Sequence, residues 1–187
     1  MVRFKQYYNE GFKGKLGLIG VLASLALSTP LLSKSADPLF DQLSRHEGYK
    51  TNIYLDSKGI PTIGIGFNLQ EPANRRILAK YGITDQQLKS GLSESQIKTL
   101  FSESLKRAKQ DALKYLPDLY NHPTQVQNAI IDMAFNLGYT RLSKFKDLRK
   151  SLMDKDYKKA SEDMINSLWA KQVGNRATYL ADLVKSS

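Results

Sequence analysis

Residues 38–68, PLFDQLSRHEGYKTNIYLDSKGIPTIGIGFN, change their hydrophobic period part-way along. In the first half Leu39, Phe40, Leu43 and His46 recur at helical spacing, Pro38 suits a first helical turn, and Gly48 predicts the helix end. The second half reads differently. Ile53, Tyr54 and Leu55 make a short strand, and Asp56-Ser57-Lys58-Gly59 has turn chemistry. Thr62-Ile63-Gly64-Ile65-Gly66 reads as a returning strand thinned by glycines. A helix running into a small antiparallel hairpin predicts an α+β fold rather than an all-helical bundle.

Downstream the chain reads as helical. Residues 71–92 read as short helices and loops punctuated by Pro72, Gly82 and Gly91. Ser93-Glu94-Ser95-Gln96 is a capping box, which predicts a long amphipathic helix over 93–116. Ile97, Leu100, Phe101, Leu105, Ala108, Ala112, Leu113 and Leu116 mark its buried face, and Pro117 stops it. A second apolar helix is expected from Val126 to Leu137, capped by Gly138. Further helical patterns cover 142–153, 156–168 and 175–184. The expected folded body, residues 37–187, is mostly helical. It has a small lobe at about 37–92 carrying the β-hairpin, a connecting helix at about 93–116, and a helical lobe at about 117–187. No repeat or low-complexity tract interrupts it.

Composition narrows the function classes. The chain has 187 residues, 41% of them hydrophobic, with ten Tyr and seven Phe, so it can bury a real core and is not a disordered polymer. It has no Cys and two His, which excludes disulfides, thiolate chemistry and Cys-based zinc sites. The formal charge of +10 favours an anionic partner: nucleic acid, anionic lipid or an anionic wall polymer.

The N-terminus reads as a targeting segment, residues 1–36. Leu16 to Ser33, LGLIGVLASLALSTPLLS, is 18 residues without a charge. As a helix it would span about 27 Å, close to the bilayer core of about 30 Å. Arg3, Lys5, Lys13 and Lys15 precede it against Glu10, a positive-inside flank that places the body outside the cytoplasm. Two readings stay open: a signal anchor tethered to the inner membrane, or a signal peptide cleaved near Ala26-Leu27-Ser28. Without residues 1–36 the chain keeps 23 Lys and Arg against 17 Asp and Glu, a net +6, so the body remains basic.

Glu47 at a helix end and Asp56 at a hairpin turn carry the chemical reading. Hydrolysis of a glycosidic bond needs an acid to protonate the leaving oxygen and a carboxylate to activate water or stabilise an oxocarbenium-like centre. Apolar neighbours at the helix end favour a proton-bearing Glu47, and the more solvated turn favours an ionised Asp56. Thr62 begins the returning strand, where its hydroxyl could orient a water against Asp56. Singly these residues carry little, since a lone Glu at a helix end is usually structural. Their joint spacing in one helix-hairpin unit carries more.

The spacing Glu47, eight residues, Asp56, five residues, Thr62 resembles the signature of the T-even-phage type of lysozyme. The string EGYKTNIYLDSKGIPTIGIGFNL is similar to that family almost throughout, including Tyr54, Gly59 and the Thr62–Gly66 run. Met133-Ala134-Phe135-Asn136-Leu137-Gly138 resembles its central-helix motif, and Trp169, Gln172 and Asn175-Arg176-Ala177 its C-terminal one. The resemblance covers residues 38–185. It implies an endolysin that hydrolyses the β-1,4 bond between N-acetylmuramic acid and N-acetylglucosamine. Glu47 would be the proton donor, Asp56 the second carboxylate and Thr62 the water-positioning residue. Inversion, general in the family, would require carboxyls about 6.5–9.5 Å apart. Arg176 would partner Glu47, and Phe135 would line the sugar cleft, unless it is simply a core aromatic. Many members carry His where this chain has Phe67, so the ion pair made by that His is not expected here. The following position, Asn68, is a further candidate for substrate contact.

The resemblance implies peptidoglycan glycan strands and the inner membrane as partners, no nucleic acid, no cofactor or metal, and a monomer. Lytic transglycosylase chemistry, which needs an acid but no second carboxylate, and a non-catalytic wall-binding homologue are the alternatives. A basic nucleic-acid binder would show steeply salt-dependent DNA binding, and an export segment would serve it poorly.

Overall fold

The computed structural model describes residues 38–56 and 59–187. The apolar Leu16–Ser33 stretch and the Ser57-Lys58 half of the expected turn lie outside the described residues. Helix α1 runs from Pro38 to Glu47. It stops because Gly48 takes φ +77° while its N–H still bonds the Ser44 carbonyl at 3.0 Å.

Three strands follow: β1 (Lys50–Leu55), β2 (Pro61–Gly64) and β3 (Phe67–Asn68). They form one antiparallel sheet in the order β1-β2-β3, with Tyr54 opposite Thr62 and Ile63 opposite Phe67. The returning strand expected from Thr62 to Gly66 therefore ends at Gly64, residues 65–66 turn the chain, and a further strand, β3, follows from Phe67. Gly64 and Gly66 both sit at φ +65°, a region that side-chain-bearing residues rarely adopt, and they turn the chain back on itself. Gly64 also lets the sheet close on the next helix, because a Cβ there would lie 3.1 Å from Ile97 Cγ2.

Helices α2 (Pro72–Lys80) and α3 (Asp85–Ser90) lead to α4 (Glu94–Tyr115). The capping box at the start of α4 closes as the sequence suggests: Ser93 Oγ accepts from Gln96 N at 3.3 Å, and Gln96 Oε1 accepts from Ser93 N at 2.9 Å. One face of α4 buries Ile97, Leu100, Phe101, Leu105, Ala108 and Ala112. The helix touches β2, β3 and α2, and packs extensively along α5. It thus joins the strand-bearing part to the helical part.

Helix α5 is assigned over Thr124–Leu142, but Gly138, at φ 65° and ψ 165°, is non-helical and breaks it. The helix proper ends where the glycine cap was expected, and one further turn follows. The remaining helices are α6 (Lys146–Met153), α7 (Tyr157–Ile165), α8 (Leu168–Val173) and α9 (Asn175–Lys185). Two expected helices change. The 142–153 pattern starts four residues later, because Leu142–Phe145 is occupied by turn bonds such as Phe145 N to Leu142 O. The 156–168 pattern ends at Ile165; Ser167 then caps α8 by accepting from Ala170 N, a helix the periodicity did not reveal.

The deepest side chains, Leu43, Ile63, Ile65, Ile97, Leu100, Leu116, Ile130 and Met133, are essentially inaccessible and come from α1, the sheet region, α4 and α5. Among the described residues no helix is long and apolar enough to cross a membrane.

Candidate active site

A cleft of about 560 Å³ opens between the sheet, α4 and the end of α5. Glu47, Asp56 and Gly66 line one side, Arg107 and Asp111 stand on α4, and Phe135 stands on α5. A larger depression of about 890 Å³ beside Tyr81, Lys98 and Thr99 is a shallow groove on the surface. Among the described residues its one carboxylate, Glu94, is paired with Lys98 at 2.6 Å, so the paired-acid chemistry belongs to the first cleft.

Glu47 is the last residue of α1, and its side chain lines the cleft. Its Oε1 meets Arg176 Nη1 at 2.6 Å, and its side chain is 19% exposed. The backbone carbonyl of Glu47 accepts from the Tyr54 hydroxyl at 3.4 Å, tying α1 to β1. Gly66 presses on the same carboxyl: a Cβ there would sit 2.8 Å from Glu47 Oε2. Gly66→Ala therefore forces Glu47 to move and strains a φ +65° turn. We expect wall-lytic activity to fall roughly 10²-fold in a variant that still folds, by analogy with small misplacements of reacting groups. Full activity in a folded Gly66→Ala protein would show that the position of Glu47 is unimportant.

Asp56 directly follows β1 and is held by its own turn. Its Oδ1 accepts from Ile60 N at 2.8 Å, its backbone N–H bonds the Ile60 carbonyl at 3.0 Å, and its carbonyl accepts from Gly59 N at 2.9 Å. Thr62 is placed differently. It is buried, it is absent from the cleft lining, and its hydroxyl donates to the Ile60 carbonyl at 3.0 Å. Ile60 thus connects the two residues, one through its N–H and one through its C=O. Toward a water, Thr62 has only its lone pairs left to offer.

Phe135 lines the cleft half-buried, its ring 5.8 Å from that of Phe101, so it is neither a wholly core aromatic nor a free platform. Asn68 also lines the cleft, but its Oδ1 accepts from Gln70 N at 2.7 Å and Glu71 N at 3.2 Å. Its carbonyl is held by Asn74 Nδ2 at 2.9 Å. The Asn68 oxygen therefore shapes the approach to α2, which leaves the amide NH₂ for a ligand. Phe67, where many lysozymes of the T-even-phage type carry His, is buried at 2% exposure as part of the core.

Behind Glu47 lies a network that sequence reading missed. Arg176 Nε donates to Asp132 Oδ1 at 2.8 Å, Gln42 Nε2 to Asp132 Oδ2 at 2.8 Å, and His46 Nδ1 lies 2.9 Å from the same Oδ2. Asp132 is fully buried. Burial pushes its carboxyl up, but His46, Arg176 and Gln42 together outweigh that and hold it below the usual carboxylate range. Burial likewise lowers the Arg176 guanidinium, while Asp132 and Glu47 more than restore it. The available signal was Asp132 itself, a charge inside the apolar run Ala129–Ala134, since a charge is seldom fully buried unless it is paired. A second link joins distant motifs: Trp169 Nε1 donates to Asn136 Oδ1 at 2.9 Å. Among the described residues no group of three or more His, Asp or Glu is placed to hold a metal.

The family model for phage lysozyme matches residues 44–185. The chain belongs to the phage lysozyme family. Relatives of this lysozyme-family chain include probable T4-type lysozyme 1 of Dictyostelium discoideum, 28% identical over 78% of the chain and 92% of the relative. Probable T4-type lysozyme 2 of the same organism is 29% identical over 74% and 88%. The pre-baseplate central spike protein of Enterobacteria phage T4 is 23% identical over 77% of the chain but only 27% of its own length. Family membership carries lysozyme-like peptidoglycan hydrolysis as the general activity and peptidoglycan as the implied substrate.

Proposed function

We propose that this phage lysozyme is an endolysin, a muramidase that hydrolyses the β-1,4 bond between N-acetylmuramic acid and N-acetylglucosamine and so lyses a host cell. The observation that carries the reading is that Glu47 and Asp56 line one cleft, one from a helix end and one from a strand turn. Glu47 gives its proton to the departing glycosidic oxygen. Asp56, oriented by the Ile60 N–H, activates water or stabilises the developing positive centre. Thr62 accepts a hydrogen bond from that water through its remaining lone pairs. Phe135 and the Asn68 amide contact the sugars, and Arg176 steadies Glu47.

Export belongs to the same proposal. The charge-free Leu16–Ser33 segment behind a basic flank would tether the enzyme to the inner membrane before its release to the periplasm, or direct its secretion and cleavage. Fractionation with intact-mass measurement separates these: a full-length chain that leaves the membrane when the potential collapses supports release, and a chain starting near Thr29 supports cleavage.

The chemistry is tested on purified peptidoglycan by mass analysis of the released muropeptides. Hydrolysis adds one water per cut and leaves reducing N-acetylmuramic acid ends. An anhydro-sugar product would overturn it in favour of transglycosylation, and wall binding without release would mark a non-catalytic homologue.

A further inference from the structure

The position of Arg176 raises a chemical problem. A proton donor is neutral before it acts, yet Glu47 sits 2.6 Å from a guanidinium, the usual partner of a carboxylate. The structure supplies a counterweight. The guanidinium also meets Asp132 through Nε at 2.8 Å, and the Asp132 side chain is completely inaccessible. The Arg176 side chain is 9% exposed, and its Nη2 is enclosed without a protein hydrogen-bond partner.

We propose that Asp132 is a positioning residue for the acid: it anchors Arg176 from behind and takes up its charge, so that Glu47 can hold and release a proton without leaving the arginine unpaired. This rests on the reading of Glu47 as proton donor. The charge count supports it. With Glu47 neutral, Arg176 and Asp132 form a closed, balanced pair. With Glu47 ionised, two carboxylates share one guanidinium, which a site built only to bind a carboxylate would not need. Geometry supports it too. Nε and Nη1 are both engaged, one on each acid, so Asp132 fixes the plane that points Nη1 at Glu47 Oε1.

Gln42 and His46, both on α1, hold the other Asp132 oxygen, so the helix that presents Glu47 is bound to the same anchor. Among the described residues, the titratable and charged groups around this cluster include Arg176 and Tyr179 on α9, Asp132 on α5, His46 on α1, Tyr54 on β1 and Asp56 beyond it, together with Glu71, Arg107, Asp111, Tyr139 and Arg141, which line the same cleft as Glu47.

The test is the pH dependence of kcat on purified wall for Asp132→Asn, which keeps the shape and one accepting oxygen but removes the charge. Arg176 then acts on Glu47 alone. The alkaline limb of the profile should move to lower pH by about one unit, with roughly tenfold lower activity above it and little change in KM. In an Arg176→Gln background the same Asp132→Asn change should move the limb much less, leaving only the direct effect of one carboxylate on the other. A folded Asp132→Asn protein whose profile only loses height, with both limbs in place, would overturn the proposal and leave Asp132 as a structural residue. Should that variant not fold, Asp132→Asn/Arg176→Gln, which removes both charges of the pair, carries the same question. Its alkaline limb should lie at or above the wild-type position, and a lower limb would refute the proposal. If the wild-type protein releases no reducing ends, the reading of Glu47 fails instead, which is a separate result.

Discussion

Glu47→Gln should abolish lysis of purified wall while leaving the fold intact. The amide is nearly isosteric with the acid and can still accept from Arg176 Nη1, which Glu47 meets at 2.6 Å, so the network behind it keeps its geometry. Arg176 also keeps its charged partner in Asp132 at 2.8 Å, so no buried charge is orphaned. The amide cannot deliver a proton to a leaving sugar oxygen. The expected loss is about 10²–10⁴-fold in the rate of turbidity decrease. Thermal melting should stay close to wild type. Undiminished clearing by a folded Glu47→Gln protein would remove Glu47 from the chemistry and with it the muramidase assignment.

Arg176→Ala should be the most destabilising single change near the site. It deletes the guanidinium between Asp132, which is fully buried, and Glu47, which is largely so. Breaking one side of such an arrangement leaves an uncompensated charge, which costs about 3–5 kcal/mol. For a protein of this size that is a fall of about 10 °C in melting temperature.

The pH dependence should also become shallower. In the wild type the Asp132 carboxyl is held below its ordinary value, since its contacts to His46, Arg176 and Gln42 outweigh its burial. Its contribution to stability is therefore fully present above about pH 4, the unfolded value, and is lost as pH falls through the folded value. Without Arg176 one contact that opposes burial is gone while His46 and Gln42 remain, so the Asp132 carboxyl should rise toward its ordinary value. The variant should then lose less stability than the wild type as pH falls below about 4. Urea unfolding at several pH values measures this. A variant that weakens in acid as much as the wild type does would show that Arg176 does not hold the Asp132 carboxyl down.

Local patterns in the chain identified what local physics decides. The helix ending at Gly48, the Asp56–Gly59 turn, the capping box at Ser93 and the break at Gly138 are each set by a few adjacent residues, so they could be read without the rest of the molecule. Where local signals competed, the reading slipped. Gly64 and Gly66 looked like a thinned strand, but their positive φ makes a turn, and α8 follows from a serine cap after Ile165 that periodicity did not register. The family resemblance pointed to Arg176 beside Glu47, a contact made across 129 positions of sequence.

By itself, then, the sequence determined the α+β helical character of the protein and the spacing of Glu47, Asp56 and Thr62, because element propensity and residue order are properties of the chain. Only the tertiary structure decided what surrounds them: that Glu47 and Asp56 line one cleft, that Thr62 turns its hydroxyl to the Ile60 carbonyl, and that Asp132 stands behind Arg176. The physical reason is sequence distance. Asp132 lies 86 positions from His46 and 90 from Gln42, and a buried charge is satisfied by whichever groups the packing of α1, α5 and α9 brings within hydrogen-bond reach.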